Sequence, residues 1–346
     1  MATTHWLGDP PADHEPLIAW ALSRIGATVA EDAVVDVAYA ARDADADLGG
    51  RFGARVAGEP QSPRHGRTQT FRLDGVAPAR LREEDPDEPW AVLFDPARLI
   101  RGIGTVTGAV RGENWVELSL APHASFADPA DAWLPPGARG LVVRLDPVTG
   151  FLRSATLHDD QGLLATARTG ELNVRGARSS AEAGRVAARM ARTLVEPVRL
   201  TAGVDVEADP HDDYSFTSVP SARSWTVSVG GQCLTLTGDY APDRTSPVAA
   251  RLAELLAPAR IVSHLAHVTA VSATSVRAGV RPLRTFPFSA WAPDEALTCG
   301  FTIDMETGVL VRAEAEADDR VVFRHVVTAL GAPAGPVLPA RAQPSR

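Results

Sequence analysis

Leu145–Leu164, LDPVTGFLRSATLHDDQGLL, reads as strand, turn, strand, turn and strand. Asp146 can accept bonds from the backbone that follows it, and Gly150 supplies the positive φ that ends such a turn. The apolar Phe151-Leu152 then enters the next strand, so the stretch is a hairpin with a short connection. A second stretch, Ile303–Val322, IDMETGVLVRAEAEADDRVV, has the same plan, with Asp304, Thr307-Gly308 and Val309-Leu310 at the matching places.

Working outward, further landmarks recur in order. Pro96 and Pro258 stand 162 apart, Pro122 and Pro282 160, Phe126 and Phe286 160, Trp133 and Trp291 158, and Gly150 and Gly308 158. A period near 160 residues is far too long for a solenoid unit and suits a domain. The expectation is two tandem copies of one mainly-β domain, at 1–175 and 181–330, with a disordered Pro- and Ala-rich tail at 331–346. The front ends of the copies match weakly.

In chain order, residues 1–14 read as a loose arm. A helix is expected from Pro16 to about Ile25, then strands at Val34–Tyr39, Phe52–Val56 and Thr68–Leu73. Asp95-Pro96 opens a short helix, with Asp95 as its cap. Strands follow at Thr105–Val110, Trp115–Leu120, Gly140–Leu145, Phe151–Leu157 and Leu163–Thr169. Residues 174–183 read as a linker. The next helix, Ala181–Leu194, is expected to bury Val186, Met190 and Leu194 and to turn Arg185, Arg189 and Arg192 towards solvent. The second copy is expected to have strands at Leu200–Glu207, Ser224–Val229, Cys233–Thr237, Val268–Ser272, Val276–Val280, Leu297–Ile303, Val309–Ala315 and Val321–Thr328. Asp209–Tyr214 reads as a turn between them, and Pro247–Leu256 as a helix.

Composition narrows the function classes. The 346 residues carry a net charge of −9, which argues against nucleic acid as a partner, because phosphate contacts need a basic surface. All 34 basic residues are arginine, a compositional bias rather than a binding feature. No apolar run is long enough for a transmembrane helix. The N-terminal MATTHWLGDPPADHEP lacks a basic and apolar leader pattern, which predicts a cytoplasmic protein, and Cys233 and Cys299 read as free thiols.

The order of helix, strands, Asp-Pro helix and further strands resembles the LolA-like lipoprotein-carrier superfamily, its actinobacterial members above all. The residues behind the resemblance are Phe94–Leu99, Leu134-Pro135-Pro136-Gly137 and Leu145-Asp146 through Gly150-Phe151-Leu152-Arg153. In the second copy they are Leu256–Ile261 and Ile303-Asp304 through Gly308-Val309-Leu310. The resemblance implies an α+β, mainly-β fold of two curved antiparallel half-barrels, each with helices on its concave side. It implies an apolar space that holds acyl chains or similar groups, and no catalytic residue. The first copy is short between Leu73 and Trp90, where a further hairpin is expected.

Several motifs bear on chemistry. Gly102–Gly108 has glycines like a phosphate loop, but it follows a helix and enters a strand, the reverse of the dinucleotide arrangement. His264 and His267 have metal-ligand spacing without a partner pair nearby. His158-Asp159-Asp160 and Asp209–Asp213 are explained by turn chemistry. No metal or other cofactor is expected. The aromatics Trp115, Phe126, Trp133 and Phe151, with Phe286, Phe288, Trp291 and Phe301, read either as the lining of an apolar pocket or as core filling. The expected function is non-enzymatic binding of an apolar or lipid-like molecule. A regulatory module that binds a protein partner and a small biosynthetic enzyme are the alternatives.

Overall fold

The computed structural model describes residues 5–28, 32–41, 67–73, 96–122, 138–175, 181–196, 198–206, 209–219, 224–229, 232–237, 255, 257–280 and 296–331. The chain is mainly β, with two antiparallel sheets that do not close into barrels. The first sheet contains β1 (Asp32–Ala41), β2 (Arg67–Leu73), β3 (Ile103–Arg111), β4 (Val116–Pro122), β5 (Gly140–Leu145), β6 (Leu152–Asp159) and β7 (Gly162–Arg175), in the order β2-β1-β7-β6-β5-β4-β3. The second contains β8 (Val198–Val206), β9 (Asp209–Val219), β10 (Ser224–Val229), β11 (Gln232–Thr237), β12 (Leu265–Ser272), β13 (Ser275–Val280), β14 (Thr298–Ile303), β15 (Leu310–Ala317) and β16 (Arg320–Gly331). Its order is β11-β10-β9-β8-β16-β15-β14-β13-β12. In both, a five-strand meander returns its last strand to the first strand of the half. β10 and β11 extend the second sheet only, among the described residues.

Strict alternation produces the buried face. Val116, Leu118 and Leu120 of β4, Leu141, Val143 and Leu145 of β5, and Cys299, Phe301 and Ile303 of β14 are all buried, with less buried residues between them. A strand with this period-two pattern places one apolar face inward. The helices lie against that face. α1 (His14–Ala27) packs on β3, β4 and α2 (Ala97–Gly102), and α3 (Ala181–Arg192) packs on β12 and β13. Residues Pro258–His264 form a 3-10 helix that packs on α2.

α1 is buried nearly all round from Leu17 to Ala27, because it is enclosed by the first sheet on one side and α3 on the other. The two helices meet at Gly26, where an added Cβ would lie 2.6 Å from the Ala191 Cβ and 2.9 Å from the Ala187 carbonyl oxygen. The apolar clusters of the two halves are therefore one continuous core.

Some expectations change. Residues 5–12 of the arm are packed rather than loose. His5–Leu7 form a 3-10 turn, the Trp20 indole donates to the Gly8 carbonyl at 3.2 Å, Arg111 donates to the Pro10 carbonyl, and Arg185 stacks over Trp6 at 5.8 Å. It thus touches both halves. Asp209–Tyr214 belongs to β9, which starts opposite Val206. Ladder bonds use backbone groups that every non-proline residue has, so a polar composition did not prevent strand formation. Pro96 occupies the cap position of α2 and makes no side-chain cap; Asp95, Phe52–Val56, Pro247–Glu254 and the tail after Gly331 lie outside the described residues.

Candidate functional site

Each half has a turn seated on the end of its helix. At the first, Asp146 Oδ1 accepts from the backbone N–H groups of Val148 at 2.8 Å and Thr149 at 3.0 Å. The Gly150 N–H donates to the Asp146 carbonyl at 2.8 Å, with φ at +81°. At the second, Asp304 accepts from Glu306 at 3.4 Å and Thr307 at 3.0 Å, Gly308 N–H donates to the Asp304 carbonyl at 2.8 Å, and φ is +82°. These are the Asp and Gly roles read from the sequence.

The sequence reading did not foresee what holds the turns. Arg24, 3% exposed, donates to the Val148 carbonyl. Arg189 donates to the carbonyls of Met305 at 3.0 Å and Glu306 at 2.7 Å, and pairs with Glu196 at 3.0 Å. Arg189 therefore faces the turn instead of solvent, whereas Arg185 is exposed as expected. Four residues on in each case, Thr28 donates to the Arg24 carbonyl at 2.8 Å, and Thr193 donates to the Met190 carbonyl at 2.7 Å and accepts from Ala259 N–H at 2.9 Å. A signal for this was present: Arg24-x-x-x-Thr28-x-x-Glu31 and Arg189-x-x-x-Thr193-x-x-Glu196 have identical spacing.

The electrostatics follow from burial. Burial pushes the Arg24 guanidinium down to about 10, partly offset by the Asp146 charge. Arg189 is lowered for the same reason, offset by Glu196. Burial alone would raise both aspartates, but hydrogen bonds outweigh it. Arg153, Thr149 and Val148 hold Asp146 below the usual carboxylate range, and Thr307 and Glu306, with the Arg189 charge, do so for Asp304. These clusters clamp each turn to the end of a helix.

Between the halves, Gly26, Thr28, Ala97, Ala187, Leu265 and their neighbours enclose a cavity of about 10 Å³, room for about one water. The concave sides are thus filled where the helices meet.

Of the predicted pocket aromatics, Phe151 is 5% exposed and Phe301 2%, both in the shared core. Trp115 lies beneath the Arg144 guanidinium, 4.8 Å from the ring centre. Arg144 alternates with buried Val143 and Leu145, so this stack is on the outward face of the sheet. Phe126, Trp133, Phe286, Phe288 and Trp291 lie outside the described residues. His267 is in β12 while His264 ends the 3-10 helix, and no group of three potential metal ligands occurs among the described residues. Cys299 is a free, buried thiol whose pKa burial raises. No described helix is long and apolar enough to cross a membrane.

The residue the sequence reading missed is His325. It is fully buried on the inward face of β16, with the Leu310 backbone as the polar group that bears on its ring. The Leu310 carbonyl favours its protonated form, but the desolvation outweighs that and pushes the pKa down to about 4.

No family model matches the chain, and no curated protein matches it.

Proposed function

We propose that the chain is a binding protein, rather than an enzyme, that holds an apolar or lipid-like molecule against the concave face of a half-barrel. The supporting observation is the pair of open antiparallel sheets, each with a continuous apolar face turned inward and its helix concentrated at one side. α1 and α3 cover mainly β3–β4 and β12–β13, at one edge of each sheet. A ligand would lie along the inward face away from that edge. The LolA-like resemblance points the same way, since such carriers place acyl chains between sheet and helices.

Native mass spectrometry of the full chain, followed by solvent extraction, tests this. One or two hydrophobic molecules per chain is the expected result. A clean unliganded mass, with no uptake of long-chain alcohols, fatty acids or phospholipids, overturns it. The filled contact between the halves favours a second reading, a rigid scaffold that docks a protein partner, and that outcome would leave it standing.

A further inference from the structure

We infer that the two halves form an isologous pair. Each presents the same helical surface to the other about an approximate two-fold axis at the Gly26–Ala191 contact. This surface, rather than the link between Arg175 and Ala181, holds the halves together. The pairing holds whether or not either half binds a ligand.

The halves correspond position by position. In the second sheet Val276 pairs with Phe301, Phe301 with Ala313, and Ala313 with His325. In the first, Leu118 pairs with Val143, Val143 with Ala155, and Ala155 with Ala167. Each position of one row lies 158 residues from its counterpart in the other, and all eight residues are buried. The helices correspond too. Arg24 stands 165 residues before Arg189, which holds the other turn, and Thr28 stands 165 before Thr193. Pro96-Ala97-Arg98-Leu99-Ile100, at the start of α2, matches Pro258-Ala259-Arg260-Ile261-Val262 of the 3-10 helix, 162 residues on.

The contacts that join the halves pair each helix with its own counterpart, α1 with α3 and α2 with the 3-10 helix. A two-fold, isologous interface has this property, because the same patch is used on both sides, whereas a head-to-tail arrangement joins two different patches. Gly26 marks the axis. Its counterpart at the spacing of 165 is Ala191, and a Cβ on Gly26 would lie 2.6 Å from the Ala191 Cβ. A residue meets its own counterpart only where it lies close to the two-fold axis. The joined surface is apolar. Leu99, Ile100, Ile261 and Val262 are buried in the two facing short helices, as are Ala187 and Ala191 in α3. Arg260, 7% exposed, crosses the junction and donates to the Ile103 carbonyl at 3.0 Å. Parting the halves would return this apolar surface to water, which opposes separation with or without a covalent link.

A specific protease site inserted between Ala177 and Arg178 of the full-length chain tests the surface. After cleavage of the folded protein, the two pieces should stay together as one equimolar complex in gel filtration and native mass spectrometry at micromolar concentration. Gly26→Ala should weaken the cut complex about tenfold by overpacking at the axis. Where that variant fails to fold, Arg260→Met should weaken it about tenfold by removing a charged donor to Ile103. Pieces that separate at micromolar concentration overturn the surface as the link. An affinity untouched by Gly26→Ala or, failing it, by Arg260→Met overturns the helix contact as its centre. The symmetry is tested on the uncut chain carrying Cys233→Ala, with the buried Cys299 retained. Val148 and Glu306 are counterparts, as are Leu163 and Val321, each 158 residues apart. Spin labels on Val148→Cys with Val321→Cys should give the same distance, by pulsed dipolar spectroscopy, as labels on Glu306→Cys with Leu163→Cys. A two-fold axis carries one pair onto the other, so clearly different distances overturn it.

Discussion

Arg24 of the first half and Arg189 of the second both hold an Asp-Thr-Gly turn, but by different means. Arg24 is sealed in with the Val148 carbonyl and the Asp146 charge nearby, whereas Arg189 has two carbonyls and Glu196. Behind the turns the difference is larger, because the second sheet carries a histidine where the first carries Ala167. The backbone task has been kept and the inward side chains have diverged. Positions whose geometry is dictated by φ and by close approach allow few replacements, while a position on a sheet face allows any side chain that the opposite layer can accommodate.

The largest effect should come from the turns. A Cβ on Gly150 would lie 1.9 Å from Thr28 Oγ1, while one on Gly308 would lie 2.5 Å from an Arg189 guanidinium nitrogen and 2.8 Å from Thr193 Cγ2. Gly150→Ala should cost about 3 kcal/mol or more in denaturant unfolding, and Gly308→Ala about 1–2 kcal/mol, because both strain φ and meet a helix-end threonine, but the approach to Thr28 at 1.9 Å is much closer than that to Thr193 at 2.8 Å. Equal losses would break the comparison.

Acid should separate the halves next. The His325 pKa falls from 6.5 to about 4 on folding, so the unfolded chain takes a proton that the native ring refuses. Its contribution to stability is fully present above about pH 6.5 and is lost as pH falls towards 4, by about 3 kcal/mol at most. Asp146 and Asp304 have depressed values, so their contribution is lost at lower pH, starting as pH falls through the ordinary carboxylate range and ending below it. His325→Ala should remove the upper part of the acid slope and leave the lower part. A slope unchanged between pH 6.5 and 4 would contradict this assignment.

The helix contact gives a third comparison. Gly26→Ala should cost about 1–3 kcal/mol by overpacking against Ala191 and Ala187. Adding Ala191→Gly should recover part of that loss, since it removes the nearer of the two clashing atoms. No recovery in the double variant would show that the Ala187 carbonyl sets the spacing.

The smallest effect concerns Arg153, whose 2.6 Å bond to Asp146 is partly exposed and whose counterpart in the second half is Val311. Arg153→Val should change thermal stability by less than about 1 kcal/mol, as exposed pairs usually do. A greater loss would show that the first turn depends on an ion pair the second does without.

The sequence by itself determined the local elements. Turns at Asp146–Gly150 and Asp304–Gly308 depend on residues within five positions, and period-two alternation marks the inward face of β4, β5 and β14 whatever lies opposite. Tertiary structure decided the contacts across distance. Arg189 has the spacing of a solvated helix face, yet a turn more than a hundred residues away receives it. The polar start of β9 joins a ladder because β8 offers backbone partners. The N-terminal arm is held by Trp20, Arg111 and Arg185, residues that lie in three different elements. Phe151 and Phe301 proved to be core residues and Trp115 an outward one, a distinction that aromatic clustering does not contain. His325 was legible only after the strands were paired. Alone it is one histidine among nine, and only the ladder that puts it beside Ala313, with Ala167 at the same place in the other sheet, shows it as a buried imidazole in an apolar row.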